Sequence, residues 1–416
     1  MSRVLQFATV LVVCTCPMGA LAQQSASSSG SNWFDWDYAT GDWGGARTEL
    51  ENKGITFALN YTGDFLSNRS GGLSQNSALA SGTYGSVTFD FEKLSGISGL
   101  SLFVAGAYQS GNDLSGDSIG NAFGVAQIFN GDGGRLAQVY LLKTFAQDTY
   151  ELAFGQLAAG DDFATVDSFG NYVSSGVNGN PATIGANFPS FTASPFSAWG
   201  LRFTANPTSN LYWSVAAYNA DPTVQDDSKS GFDFSFDPGE GVLAIAELGV
   251  NTNFGGALSG LPGRFVIGGI YDSSDYPTLA DPNVVESGNY GFYAIVEQMV
   301  SREGGPNSDQ GLTAWASATW NPDDSINTLP VGLFAGVSYQ GLITGRDNDV
   351  TAFAVYYGSF SDDLPGQSSE TVLELNHRFQ ISPSTYITPD LQYVFNPNGG
   401  GIPDAFVIGF EASVDF

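Results

Sequence analysis

The chain is poor in cysteine, histidine, positive charge and long apolar runs, and each shortage removes a class of function. Its two cysteines, Cys14 and Cys16, both lie at the extreme amino-terminal side, so the rest of the chain can form neither a disulfide nor a thiolate metal site. Lys and Arg number 13 against 42 Asp and Glu, a formal net charge of -29. Nucleic acid is thereby excluded as a partner, because phosphate binding needs clustered cations. There is one histidine, His377, which leaves little material for a His-based metal site or a Ser-His-Asp arrangement. Neither a phosphate loop nor a dinucleotide fingerprint occurs. Paired carboxylates for glycoside hydrolysis stay open, since their separation is a spatial property.

The segment MSRVLQFATVLVVCTCPMGALAQQ carries one cation, Arg3, a short apolar run and an Ala-Leu-Ala end. It reads as a cleaved signal peptide over residues 1–22, followed by a flexible lead-in over 23–40. Residues 41–416 show no linker or composition break and read as one unit. Beyond the signal no apolar stretch reaches the ~18 residues of a spanning helix. If this chain enters a membrane, it does so as a closed barrel. Its 53 glycines, 13% aromatics and only 13% charged residues suit that reading, the charged share being about half that of ordinary soluble domains.

Sixteen alternating segments follow, from 55–67 and 86–92 through 370–380 and 385–396 to 405–416, separated by Gly, Asn, Asp, Pro and Ser clusters. Connections alternate in length. Those at 93–99, 146–149, 207–210 and 381–384 are short; those at 68–85, 111–135, 158–198 and 220–241 are long. The fold class is therefore all-β: a 16-stranded antiparallel transmembrane β-barrel with short periplasmic turns and long extracellular loops. Residues 41–54 read as a short amino-terminal helix, begun by Asp42 and ended by Gly54.

Strand parity places Ile55, Phe57, Leu59 and Tyr61 toward lipid and Thr56, Asn60, Thr62 and Asp64 toward the lumen. The same rule turns Asp90, Glu92, Glu151, Arg202, Glu247, Arg264, Glu374, Arg378, Asp390 and Glu411 inward, and His377 outward. Glu370 and Asn376 share the inward row of Glu374 and Arg378. The face of Glu297 is not fixed by alternation. These charges either line a solute path or brace the wall and an infolded loop by pairing. Phe163 and Trp199, in or beside the longest loop, are candidates for an aromatic constriction, with loop packing as the alternative. No metal site is assigned; calcium in the acidic loops, as at 221–227, is the one cofactor left open. The acids also leave open a cation-attracting mouth.

Five stretches in order, "TGDWGGARTELENKGITFALNYTGDFLSN", "GNYGFYAIVEQMVSREG", "YQGLITGRDNDVTAFAVYYG", "ETVLELNHRFQISPSTYITPDLQYVFNPNG" and "AFVIGFEASVDF", resemble the OprB-type carbohydrate-selective outer-membrane porins. The resemblance runs from about Trp36 to Phe416 and implies passive diffusion of glucose and other small saccharides into the periplasm, with no enzymatic step. It implies a location in the cell outer membrane and, as partners, saccharides, outer-membrane lipid and lipopolysaccharide, and the barrel-assembly machinery. The resemblance puts the amino-terminal helix at the periplasmic side, which makes Arg47 and Glu49 on it candidates for lining the exit, with solvent-exposed charges as the plainer alternative. A homotrimer and a monomer both stay open. Phe416 at the end of the last strand resembles the signature by which such barrels are recognised for insertion. The charges that parity turns inward, with Glu297, then become candidates for the sugar path. Two alternatives stand beside this reading: a general or cation-preferring porin of the same fold, and a secreted soluble β-protein that binds or cleaves polysaccharide.

Overall fold

The computed structural model describes residues 32–128, 131–221, 223–224, 229–253, 260–305 and 308–416; the signal segment expected at 1–22 lies outside the described residues. Among the described residues sixteen strands form one sheet: β1 (Ile55–Ser70), β2 (Ser77–Asp90), β3 (Leu100–Gly111), β4 (Gly133–Phe145), β5 (Tyr150–Leu157), β6 (Ala198–Thr208), β7 (Leu211–Asn219), β8 (Val242–Asn253), β9 (Pro262–Pro277), β10 (Val285–Arg302), β11 (Gly311–Trp320), β12 (Val331–Gln340), β13 (Val350–Ser359), β14 (Ser369–Ser382), β15 (Thr385–Phe395) and β16 (Ala405–Asp415). Each pairs antiparallel with its neighbour in the chain, and β16 returns to β1 through Asn60↔Asp415 to Asn68↔Val407. Closure leaves no strand edge, so every ladder amide in the wall has a partner without water.

Alternation decides which solvent each face meets. Leu59, Leu201, Phe292, Leu333, Leu375 and Ile408 all stand on the outer face and are exposed, while Asp64, Glu247, Glu374 and Glu411 on the opposite parity are buried inside. An apolar band around the outside and a polar interior are the inverse of a soluble domain, and they make the barrel a membrane-spanning one. No helix is long and apolar enough to span a membrane among the described residues.

The connections sort by end. At one end lie tight links such as residues 146–149, 209–210 and 383–384; at the other lie residues 112–132, 158–197 and 220–241. One expectation fails here. The first link of the long-loop end, read as 68–85, is only residues 71–76, because Ser77 to Gly85 pair in register with β1 and β3. That stretch is Ser, Ala, Gly and Thr with few bulky residues, so it lacks the apolar contrast by which a strand announces itself.

The other end of β2 also differs. Asp90 caps a short helix, α2 (Phe91–Ser95), its carboxylate accepting from the amides of Glu92 at 2.9 Å and Lys93 at 3.3 Å. Glu92 lies on that helix and accepts from the Gly99 amide at 2.9 Å and the Ser98 hydroxyl at 3.1 Å. Both side chains therefore build a turn at the short-link end and neither stands in the lumen row assigned to it.

Ahead of β1, residues 33–35 form a single helical turn and α1 (Ala46–Asn52) lies against the short-link end. Asp42 accepts from the Thr48 amide at 2.9 Å and its hydroxyl at 2.8 Å. The helix ends at Gly54, whose φ of +95° suits glycine and whose Cβ would stand 2.8 Å from the Asp90 carbonyl oxygen. Arg47 does not line an exit. It is 3% exposed, donates to the Phe416 main-chain oxygen at 2.7 Å and the Phe57 carbonyl at 3.4 Å, and is stacked 3.7 Å from the Tyr38 ring and 4.4 Å from Trp43. It thus ties the amino-terminal helix across the seam where β16 meets β1. Glu49 is exposed and pairs with Lys53 at 2.6 Å.

Arg47→Ala is expected to destabilise the closed barrel by about 2–4 kcal/mol, the sum of charge-assisted hydrogen bonds and cation–π stacking at a buried site. Arg47→Lys recovers only part of it, because a point charge cannot stack and fork together. Denaturant unfolding of the detergent-solubilised protein, followed by heat-modifiable mobility, measures both.

Candidate functional site

The lumen is filled largely by two long connections that fold inward. Residues 158–197 begin with α3 (Ala159–Asp162) and include α4 (Ala182–Asn187). They travel round the inner wall and meet a wall side chain at almost every step. Gln138 of β4 donates to Asp161 at 2.6 Å, and Arg202 of β6 pairs with Asp162. Glu247 of β8 accepts from the Ala164 amide at 2.8 Å, and Glu297 of β10 from the Ser168 amide at 2.7 Å. Arg378 then donates to the Gly170 carbonyl at 2.7 Å and Asn376 to Asn171 at 3.0 Å. Glu374 accepts from the amides of Val173 at 2.7 Å and Ser174 at 3.3 Å.

The return half of the loop is held in the same manner. The Tyr172 hydroxyl receives the Trp315 indole N–H at 2.9 Å, Thr183 meets Thr319 at 2.7 Å, and Asn187 donates to the Leu329 carbonyl at 2.7 Å. Ser190 donates to Asp272 of β9, and Ser194 closes the circuit on Asp161 at 2.7 Å. Inside the loop, the Asn180 amide group donates to the carbonyls of Gly160 at 3.0 Å and Phe163 at 2.8 Å.

The shorter connection, residues 112–132, wedges against the first. Glu370 accepts from the amides of Ala122 and Phe123, both at 2.8 Å, and of Asn398 at 2.7 Å. Gln127 donates to Glu411, and Gln392 donates to the Val125 carbonyl at 2.8 Å. The Gly124 carbonyl receives Ser174 Oγ at 2.8 Å and the Ser175 amide at 2.9 Å. One inward row of β14, Glu370, Glu374, Asn376 and Arg378, therefore docks both loops.

A backbone amide in a water-poor interior must find an acceptor, and an ionised carboxylate is the strongest one the wall can offer. The carboxylates in turn are tolerable at this depth because several donors converge on each. Glu374, fully buried, receives two loop amides, the Tyr356 hydroxyl at 2.7 Å and Asn376 at 2.9 Å. Glu247 receives Tyr212 and Tyr293, each at 2.7 Å, besides Ala164.

The predicted residues thus divide. Glu247, Glu297, Glu374, Asp390 and Glu411 are on the inner face; of these Glu247, Glu374, Asp390 and Glu411 are buried. Asp390 receives Gln392 at 2.8 Å. Arg202, Arg264 and Arg378 are partly buried, with Arg202 3.9 Å from Glu151, Arg264 donating to Tyr212 at 2.6 Å and Arg378 stacked 4.3 Å from the Tyr386 ring. Phe163 is fully buried within the infolded loop, so it packs the loop and presents no ring to a solute. Trp199 shares the outward parity of Leu201 on β6 and meets Phe154 in a tilted contact and Phe234 edge-on, with ring centroids 5.5 and 6.3 Å apart; it stands outside the barrel and does not narrow the lumen. Sequence reasoning missed Asp161, Gln127, Asn180 and Tyr172. Their partners lie on distant strands, and only the shared parity of Glu370 with Glu374 carried a readable signal. Part of the acidic stretch 221–227 lies outside the described residues, and no cluster of metal-ligating side chains occurs among the described ones.

Two consequences are measurable. Glu374→Ala leaves two loop amides, a tyrosine hydroxyl and an amide group without their acceptor, so the 170–176 segment should leave the wall. Single-channel conductance is expected to rise and larger oligosaccharides to pass, with Glu374→Gln intermediate because its carbonyl still accepts. Asp161 reports on pH. Burial holds its carboxyl above the ordinary value of 3.8, opposed only in part by the hydrogen bonds from Ser194 and Gln138. A carboxyl whose pKa is raised on folding penalises the folded state above that raised value, and the penalty vanishes as pH falls to the unfolded one. Asp161→Asn should therefore be more stable than the parent at neutral pH, with the difference shrinking on acidification, as denaturation midpoints between about pH 4 and 8 would show.

Comparison with known proteins agrees with the geometry. The chain is 26% identical to Porin B of Pseudomonas aeruginosa over 460 aligned positions, covering 97% of each chain. Its fold superposes on the high-pH structure of Pseudomonas putida OprB with a TM-score of 0.85 at 24% identity, over 94% of this chain and 100% of that one. The low-pH structure of the same protein gives a TM-score of 0.62 at 21% identity, over 92% and 99%. A family profile described as "Carbohydrate-selective porin, OprB family" matches residues 80–416. A loop-narrowed sixteen-stranded barrel and that match lead to one conclusion: the chain belongs to the OprB family of carbohydrate-selective porins.

Proposed function

We propose that this porin resides in the outer membrane and lets glucose and other small saccharides diffuse passively into the periplasm, with the long loops outside and the short links facing the periplasm. No catalytic step is involved; the chain acts as a passage. The observation that carries the reading is the division of labour among the lumen charges. Most of the buried wall carboxylates spend their acceptor capacity on loop amides or neighbouring side chains, whereas Arg264 and Arg378 are only partly buried and lie over tyrosine rings, 5.0 Å from Tyr212 and 4.3 Å from Tyr386. Partly buried guanidinium groups next to aromatic faces suit a neutral solute that offers hydroxyls along its edge and C–H groups on its face. Binding of that kind is directional and weak, as a conducting path requires.

The net charge of -29 favours the second reading, a channel that prefers cations. The two differ in what passes. A soluble polysaccharide-binding protein does not fit the exposed apolar band of the closed barrel.

Swelling of liposomes carrying the purified protein separates these readings. Glucose should enter faster than charged solutes of similar size, and Arg378→Ala together with Arg264→Ala should slow glucose severalfold without a matching loss for salt. Salt entry equal to or faster than glucose, with cations favoured in reversal-potential measurements, would support the cation channel instead.

A further inference from the structure

The third long connection, residues 220–241, behaves unlike the two infolded ones. Its described part is bound to the long-loop end of β4. The Leu136 amide of β4 donates to the Ser230 carbonyl at 2.9 Å, and Arg135 donates to the Val224 carbonyl at 2.8 Å. Gly231 approaches so closely that a Cβ there would stand on the Leu136 carbonyl oxygen, and its φ is +70°. The loop is thus laid along the upper part of β4, beyond the end of β5.

The run Phe232-Asp233-Phe234-Ser235-Phe236 then alternates like a strand with two different surroundings. Gly231, Asp233 and Ser235 line a small polar cavity together with Arg135, Asn219 and Lys229, and Asp233 pairs with Lys229 at 2.6 Å. Phe232, Phe234 and Phe236 are 67%, 47% and 61% exposed. Phe234 shows which way this row faces: its ring meets Trp199, its carbonyl receives the Trp199 indole N–H at 3.1 Å, and Trp199 meets Phe154, which is outward-facing on β5. The phenylalanine row is therefore continuous with the lipid-facing band. Three phenylalanines at such exposure make an apolar patch that water disfavours, whereas aromatic rings at the rim of a membrane-spanning barrel are at home in the interfacial belt.

We propose that residues 232–236 form a membrane-seated flap whose phenylalanine row inserts among the acyl chains of the outer leaflet, while its polar edge seals the wall above β5. The occupant is lipid acyl chain, chosen by continuity with the lipid-facing surface through Phe154 and Trp199. The inference rests on the membrane reading of the barrel.

The test uses the absence of cysteine beyond Cys16. With Cys14→Ser and Cys16→Ser in place, single replacements Phe232→Cys, Phe234→Cys and Phe236→Cys are labelled with an environment-sensitive fluorophore in liposomes. Leu201→Cys on the outer face serves as the lipid reference and Lys53→Cys, just past the end of α1, as the water reference. The expected result is quenching by acyl-brominated phosphatidylcholine at 232, 234 and 236 as strong as at 201, with little quenching by iodide. Iodide quenching as at position 53, without quenching by bromine, would place the flap in water and overturn the proposal. Protection from both quenchers, together with disulfide formation between copies of the same cysteine variants left unlabelled, would overturn it in favour of a second copy of the chain. If the label at 201 is itself reached only by iodide, the membrane reading falls, and this inference with it.

Discussion

The structure depends on one kind of contact: a carboxylate on the barrel wall accepting main-chain N–H groups from a loop that has left the rim and entered the lumen. An infolded loop trades water for a confined interior, and each of its amides needs a new acceptor there. Glu247, Glu297, Glu370 and Glu374 supply those acceptors at four positions around the wall. Without them the loops would carry amides into the lumen with no acceptor on the wall.

The same contact explains an apparent contradiction in composition. A strongly acidic chain with few cations would seem built to repel anything negative and attract every cation. Many of the inward acids are not available to solute, because they are occupied by amides, hydroxyls and glutamine side chains; Glu374 alone receives four donors. Arg264 and Arg378 are only partly buried and lie over tyrosine rings. Net charge, a sum over the whole chain, therefore says little about the field along the path.

The barrel was legible in the sequence because its rules are local. Alternation of apolar and polar residues reports strand and facing, and the segments expected at 370–380, 385–396 and 405–416 coincide with β14, β15 and β16 to within two residues. It fails at β2, where Ser77 to Gly85 offer no contrast between faces, and at Glu92, where an apparent continuation of the alternation is a capped helix. Parity also turned Glu374 and Arg378 inward, yet it did not reveal what they touch. The Glu374 contact with Val173 joins residues 201 apart in the chain, and the Glu370 contact with Phe123 joins residues 247 apart. Nothing in either segment alone carries that pairing. Trp199 shows the converse limit: an aromatic next to a long loop suggested a constriction, and only the fold shows that its ring lies on the outer wall.

Amide hydrogen exchange on the membrane-reconstituted protein tests the central claim most directly. The amides of Ala122, Phe123, Ala164, Ser168, Val173 and Ser174 lie in loops, outside every strand of the sheet, and each donates to a wall carboxylate. Exchange of these six as slow as that of amides in the barrel ladder is the predicted result. Exchange as fast as that of the exposed links at 71–76 or 146–149 would show that the wall carboxylates do not hold the loops, and would contradict the account.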